Sequence, residues 1–266
     1  MNINMQEIME QLAQLYYEIY PTTEKIPVNL IITDDLNKEH IKIRPDYERF
    51  LKAEDNDYNG RLVTPKDVSD VMTILMNSKN ILQYTEDRTF TWVGTFAHEL
   101  THAIDYYSIA KKEQLLNYKP LETLSRYQAF RLWSEYHARK LGYNFLRMYM
   151  SKTVGLGNEQ QQIDYIINTE WPFHKNNFYQ DYHSNSDGNH QMYITMQLLG
   201  RYSVWCDAFP KHFNENALYA EYSENPWVGH LYSFLRKHEN FEDIYLCFEE
   251  MENTLGENWS FVDQTI

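Results

Sequence analysis

The chain has 266 residues, of which 43% are hydrophobic and 23% are charged, and its formal net charge is −14. A chain of this length and composition can bury a large core, so extensive disorder is not expected. The strongly acidic balance argues against nucleic acid as a direct partner, because the phosphate backbone would be repelled.

The N-terminal part of the sequence predicts one helix followed by a small sheet. The amphipathic segment 5–20 predicts a helix, and the β-branched run 26–33 predicts a buried strand. The pair Asn59-Gly60 predicts a turn within a short hairpin. Residues 71–77 predict a second strand, although Asp67 and Ser69 could also start a helix here. If this strand edges a cleft, a peptide could add to it.

From about residue 90 onward, nearly all of the sequence has a helical pattern. The predicted helices cover 120–150, 160–170, 190–209, 226–238 and 241–255. Residues 170–190 are instead expected to be irregular. The expected fold class is therefore α+β and helix-dominated, with a small N-terminal mixed sheet. We predict a core domain over 1–151 and a helical extension over 152–266 that packs on it.

The cysteines and the start of the chain favour a reducing compartment. The two cysteines, Cys206 and Cys247, lie in apolar sequence and form no Cys-x-x-Cys pair, so buried free thiols are expected. Residues 1–20 carry acids rather than the basic segment of an export signal, and no apolar run approaches the length of a membrane span. A cytoplasmic location without membrane contact is expected.

The segment FAHELTHAIDYY, residues 96–107, contains the motif His-Glu-x-x-His. On a helix His98 and His102 lie about 40° apart, so both imidazoles can converge on one Zn²⁺ at roughly 2.0–2.1 Å. The intervening Glu99 can reach a water on that metal and accept its proton during attack on a carbonyl. The other side of the helix is apolar and is expected to face the core. The alternative is a pair of histidines that neighbouring side chains satisfy.

Asp105 continues the same helical face but is a poor third ligand. It lies about 10 Å along the axis from His98, and three ligands in a line cannot surround a tetrahedral ion. Asp105 could instead accept a hydrogen bond from a liganding histidine, or it could be an exposed acid.

Glu135 is the stronger candidate for the third ligand. Its predicted helical face also carries Ala138 and Gly142, and these small residues would let this helix approach Gly94 on the first helix closely. The alternative is a solvated glutamate paired with a nearby arginine. His137 points about 160° away on the same helix and is expected to stack on aromatic rings.

The residues HELTHAID, followed by a helix containing SEYHARK, resemble the zinc helix and ligand helix of the glutamate-liganded metallopeptidases, the gluzincins. HELTH is similar to the motif of thermolysin-type peptidases, and the NGRLVTP segment resembles ImmA/IrrE-type peptidases of phages and mobile elements. The resemblance covers about residues 60–150. It implies a zincin-like core with one zinc held by His98, His102 and Glu135. It also implies that Glu99 is the catalytic base and that a peptide substrate lies along an edge strand.

One position departs from the thermolysin pattern. Those peptidases have an aspartate four residues after the ligand glutamate that holds a zinc histidine, whereas this chain has Arg139. Asp105 could take over that role. Residues that could stabilise the oxyanion are the polar ones of the irregular stretch: His174, Tyr182, His183 and His190.

The sequence therefore predicts a zinc metallopeptidase that hydrolyses a peptide bond with a zinc-bound water activated by Glu99. The alternative is a zinc-bearing interaction module whose peptidase site is vestigial or narrowly gated. In that case the aromatic C-terminal third would bind a protein partner. Hydrolysis of a non-peptide amide would use the same groups.

Overall fold

The computed structural model describes residues 5–184 and 187–256. Within these residues the chain is α+β and helix-dominated, as predicted, and it forms two compact units. The first unit comprises the residues up to Leu124 together with Leu141–Val154. The second unit comprises Ser125–Lys140 and the described residues from Gly155 onward. The predicted domain boundary at residue 151 stays a prediction.

The first unit contains the small mixed sheet. Its elements up to the last strand are α1 (Met5–Ile19), β1 (Val28–Thr33), α2 (Leu36–Ile43), β2 (Gly60–Val63) and β3 (Met72–Asn77), with 3₁₀ turns at Pro45–Phe50 and Ala53–Asp57. The strand order is β1-β3-β2, with β1 parallel and β2 antiparallel to β3. Gly60 begins β2 rather than joining two strands, so the expected turn at this position is wrong.

Strand β3 lies in the centre of the sheet, so the expectation that residues 71–77 edge a cleft is wrong. All six residues of β3 are buried, because both neighbouring strands and the packed helices cover it. An apolar run of this kind is typical of a strand that is covered on both faces. Strand β2 is an edge of the sheet instead, and helix α4 packs against it.

Two helices follow the sheet directly. Helix α3 (Ser78–Glu86) begins after Asn77, whose side chain accepts hydrogen bonds from the first backbone N–H groups of the helix. Phe90 then adopts a left-handed conformation with φ of 50°, and α4 (Thr91–Lys112) starts in a new direction. The apolar side of helix α4, which includes Phe96 and Leu100, is buried as expected. The expected separation of the histidines from the core is wrong for His98, because this residue is buried as well. His98 is only 7% exposed.

Helix α5 (Tyr127–Thr153) is one unbroken helix that follows a 3₁₀ turn at Lys119–Thr123. Its second half belongs to the first unit and its first half to the second unit. The remaining helices of the second unit are α6 (Glu159–Tyr165), α7 (Trp171–Ser184), α8 (Gly188–Ala208), α9 (Glu215–Glu221), α10 (Pro226–Lys237), α11 (Phe241–Tyr245) and α12 (Phe248–Gly256).

Helix α7 occupies most of the stretch 170–190 that was expected to be irregular, so that expectation is wrong for the part described. Pro172 has no backbone N–H and would normally interrupt a helix at this point. A π-helical turn at Ile166–Glu170 precedes it, in which the Trp171 N–H bonds to the Ile166 carbonyl. This wider turn accommodates the proline and lets the helical chain continue.

Both cysteines are free thiols, as expected. Cys206 is buried, but Cys247 is only partly buried. Among the described helices, none is both long enough and apolar enough to cross a membrane.

Candidate metal centre

Helix α4 brings the two motif histidines together. The Nε2 atoms of His98 and His102 lie 3.0 Å apart, and the two ring planes are nearly perpendicular at 88°. Two nitrogens bound to one zinc at roughly 2.0–2.1 Å in a tetrahedron would be separated by about 3.3 Å. The two imidazoles are therefore already close to the spacing that a shared metal ion requires.

Two glycines fix the close crossing of α4 and the second half of α5, as the sequence predicted. A Cβ atom added at Gly142 would lie 2.7 Å from the Gly94 carbonyl oxygen and 3.0 Å from the Cβ of His98. A Cβ atom added at Gly94 would lie 3.1 Å from the Cβ of Leu146. Any larger residue would force the helices apart, so the glycines hold α5 against the histidine-bearing turn.

Glu135 lies seven residues before Gly142 on the same unbroken helix, which places it two turns away on nearly the same face. One ring nitrogen from each of His98 and His102 and one carboxylate oxygen of Glu135 all lie within 4.8 Å of one another. Glu135 is only 6% exposed. This burial contradicts the alternative of a solvated glutamate. The three side chains form a group that can hold one metal ion.

Helix α8 supplies a contact to this group that the sequence analysis missed. The side-chain amide of Gln197 donates a hydrogen bond to Oε1 of Glu135. The same amide nitrogen lies 3.0 Å from the hydroxyl oxygen of Tyr193, one turn earlier. The available sequence signal was the four-residue spacing of Tyr193, Gln197 and Arg201 along an otherwise apolar helix. This contact fixes one carboxylate oxygen, so it orients the other.

Glu99 is held by the edge strand of the sheet. The backbone N–H of Leu62 in β2 donates a hydrogen bond to Oε2 of Glu99 at 2.8 Å. Glu99 is partly exposed. The Leu62 N–H bonds to Oε2 of its carboxylate and not to Oε1. The arrangement suits a carboxylate that exchanges a proton while keeping its position.

Asp105 is 2% exposed, so its interpretation as an exposed acid is wrong. It lies close enough to Tyr16 to affect it electrostatically: burial raises the pKa of Tyr16 well above its usual range, and the Asp105 charge adds to this shift. The hydroxyl of Tyr16 pairs with that of Thr101 on α4 at 2.8 Å. A role for Asp105 in orienting a liganding histidine stays a prediction.

The histidines outside the motif have other surroundings. His137 stacks on Trp133 with ring centroids 4.7 Å apart, as predicted. His174 has its Nδ1 3.2 Å from a guanidinium nitrogen of Arg201. Burial, with the charges of Arg201 and Arg139, lowers the pKa of His174 to about 3, so its ring is neutral near pH 7.

The other three residues that could stabilise an oxyanion lie beside aromatic side chains. Tyr182 stacks on Trp227 with ring centroids 6.3 Å apart, and His183 stacks on Tyr179 at 6.2 Å. His190 lies 6.4 Å from Tyr193, ring to ring. An oxyanion role for any of them stays a prediction.

The fold and the site together define a helix-dominated α+β protein with a buried His-His-Glu group of the kind found in zincin-type sites. No protein-family model, curated protein or solved structure matches this chain.

Proposed function

We propose that this protein is a zinc-dependent metallopeptidase of the gluzincin type that hydrolyses a peptide bond in a protein or peptide substrate. The observation that carries the proposal is the convergence of His98, His102 and Glu135, with Glu99 between the two histidines. The proposal includes the likeness to ImmA/IrrE-type peptidases and a cytoplasmic location without nucleic acid or membrane partners. The two free cysteines support that location.

The donor set supports zinc as the metal. Two imidazoles and one carboxylate are a common ligand set of catalytic zinc, and three protein ligands leave a fourth position open. Zinc, when bound, would lower the pKa of a water molecule and polarise a carbonyl group. The chain's own contribution is to orient three donors: the glycine contact fixes the helix of Glu135, and Gln197 fixes its carboxylate.

Glu99 is the general base of the proposed reaction. It lies between the two histidines in the sequence of α4. Its carboxylate would therefore reach the space in front of the imidazoles without binding the metal itself. The Leu62 N–H holds Oε2, and Oε1 would take the proton. The same oxygen would then return the proton to the leaving amine, which completes hydrolysis.

Strand β2 is the part of the sheet to which a peptide would add. It is an edge strand, and the Leu62 N–H bonded to Glu99 points away from β3. A peptide backbone paired with this edge would pass beside the base. Such a peptide would also have to share or replace the hydrogen bond between Leu62 and Glu99.

The second candidate function is a zinc-bearing module that holds a protein partner without cutting it. The observation in its favour is the set of large exposed aromatic side chains in the second unit. Three of these are Tyr165 (56% exposed), Phe173 (59%) and Tyr193 (43%). Exposed aromatic residues are typical of protein contact surfaces.

A Glu99→Gln variant separates the two functions. The glutamine keeps the size of the side chain but cannot accept a proton, so the variant should bind zinc like the wild type and lose hydrolysis. The measurement is zinc content together with cleavage of proteins captured by the full chain. The matched control is Glu86→Gln, since Glu86 is an exposed glutamate on α3. Undiminished cleavage by Glu99→Gln would remove the mechanism, and capture without cleavage by the wild type would favour the second function.

A further inference from the structure

Arg139 lies one turn after Glu135 on α5 and is partly buried. Its Nε atom is inaccessible to solvent and has no hydrogen-bond partner in the part of the chain that the structure describes. A guanidinium N–H that has lost water and gained no acceptor is unfavourable, because buried polar groups are normally hydrogen-bonded.

Helix α8 passes directly over Arg139. A Cβ atom added at Gly200 would lie 2.6 Å from the Tyr136 carbonyl oxygen and 2.9 Å from the Cβ of Arg139. Arg201 is the next residue of α8, and its guanidinium contacts the ring of His174 at 3.2 Å. Both arginines lower the pKa of His174, so both positive charges lie near this neutral ring. The charges of both arginines thus act on the same imidazole ring.

The position of Arg139 relative to Glu135 places the arginine near the candidate metal centre. Four residues of helix separate their Cα atoms by about 6 Å along the axis. Long side chains on a helix lean toward its N-terminus, which for Arg139 is the direction of Glu135. This tendency predicts that the guanidinium fork of Arg139 is directed toward the turn of α5 that carries the candidate metal ligand.

We propose that Arg139, with Arg201 beside it, binds a carboxylate group of the ligand that is processed at Glu135. A guanidinium presents parallel N–H groups that match the two oxygens of a carboxylate, which makes this the natural partner. The carboxylate is the C-terminus of a peptide or an acidic side chain next to the bond that is cut. That the ligand is a peptide rests on the proposed function, whereas the carboxylate site does not.

The first test uses the zinc-free full chain and two small probes of almost equal shape, N-acetylglycine and N-acetylglycinamide. Only the first carries a carboxylate. The wild type should bind the acid at least about tenfold more tightly than the amide, as measured by NMR titration or calorimetry, because a charged hydrogen-bonded pair contributes more than a neutral one. Equal affinity for the two probes would overturn the proposal.

Variants then assign the preference to Arg139. Arg139→Gln should abolish the preference for the acid, while Arg131→Gln, an exposed position on the same helix, should retain it. Arg139→Lys keeps the charge without the fork and should retain a reduced preference. Circular dichroism checks that each variant is folded; if Arg139→Gln does not fold, Arg139→Lys decides, and an undiminished preference in it would overturn the proposal.

A second test distinguishes the two sources of the carboxylate and separates this inference from the proposed function. Matched peptides with a free or amidated C-terminus, and with Asp or Asn at the penultimate position, are titrated against zinc-free wild type. Tighter binding of the free C-terminus assigns the terminal carboxylate, and tighter binding of the Asp peptide assigns a side chain. No discrimination in either pair would overturn the site. Zinc content of Arg139→Gln equal to that of the wild type shows that any loss is not a loss of metal.

Discussion

Helices α4 and α8 are similar in length, at 22 and 21 residues, and both are mostly buried. Each helix carries two polar side chains, four residues apart, at or beside the candidate metal centre. On α4 these residues are His98 and His102, whose type and spacing indicate a candidate metal site. On α8 they are Tyr193 and Gln197, whose types occur on many helices without any site.

The difference teaches which part of a site a single sequence reveals. Metal ligands are drawn from a few residue types with strict geometric demands, so their spacing alone is informative. The groups that orient a ligand need only one donor in the correct place, and many residue types can provide it. The Gln197 contact with Glu135 spans 62 positions in the chain, and no local pattern anticipates it.

The largest effect is expected from removing a candidate metal ligand on α4. His98→Ala should reduce the zinc content from about one ion per chain to near zero. It should also abolish the stabilisation by added zinc, which for a ligand at a thousandfold excess over its Kd is about 4 kcal/mol. Metal analysis and thermal unfolding with and without zinc are the measurements. His212→Ala changes an exposed histidine and should behave like the wild type; zinc retained by His98→Ala would refute the assignment.

A smaller effect is expected from the orienting residue on α8. Gln197→Leu keeps the volume of the side chain but removes the donor to Glu135, so the affinity for zinc should fall by about tenfold. Competition with a chromogenic chelator measures this change. Gln160→Leu alters an exposed glutamine and should leave the affinity unchanged. An affinity loss as complete as that of His98→Ala would mean that α8 supplies more than orientation.

A third effect, confined to acid pH, concerns stability around α8. The folded-state pKa of His174 is about 3, lowered mainly by burial and further by Arg201 and Arg139, whereas an unfolded histidine titrates near 6.5. The unfolded state therefore takes up a proton first, and stability is lost as the pH falls from 6.5 toward 3.

After allowance for solvent screening, we expect this histidine to cost about 1–2 kcal/mol of the free energy of unfolding at pH 4. His174→Gln should flatten the decline between pH 6.5 and 4 in denaturant titrations. His212→Gln, at an exposed histidine, should not. An unchanged slope in His174→Gln would show that the ring is protonated in the folded state.

Much of the fold and the centre of the site could be predicted from particular residues. The motif gave His98, Glu99 and His102, and the small residues Gly94 and Gly142 indicated the close helix crossing that the structure contains. The β-branched and apolar runs gave two of the strands of the sheet.

Other features depended on contacts that a local pattern does not carry. The apolar run of β3 was recognised as a strand, but its central position depends on pairing with both β1 and β2. The helix at Trp171–Ser184 was missed because its composition is polar and Pro172 breaks the usual pattern, which the π turn compensates. The sequence left two interpretations of Asp105, because the type of a single residue does not show whether it is buried.

The edge strand β2 is only four residues long, Gly60–Val63, and one of its amides already serves Glu99. A peptide backbone that pairs with so short an edge strand would be contacted over only a few consecutive residues. Selection among longer polypeptides would then depend on side chains and end groups rather than on extended pairing. A protein with this geometry would select polypeptides by the residues on either side of one peptide bond. Residues farther along the polypeptide would have little effect on this selection.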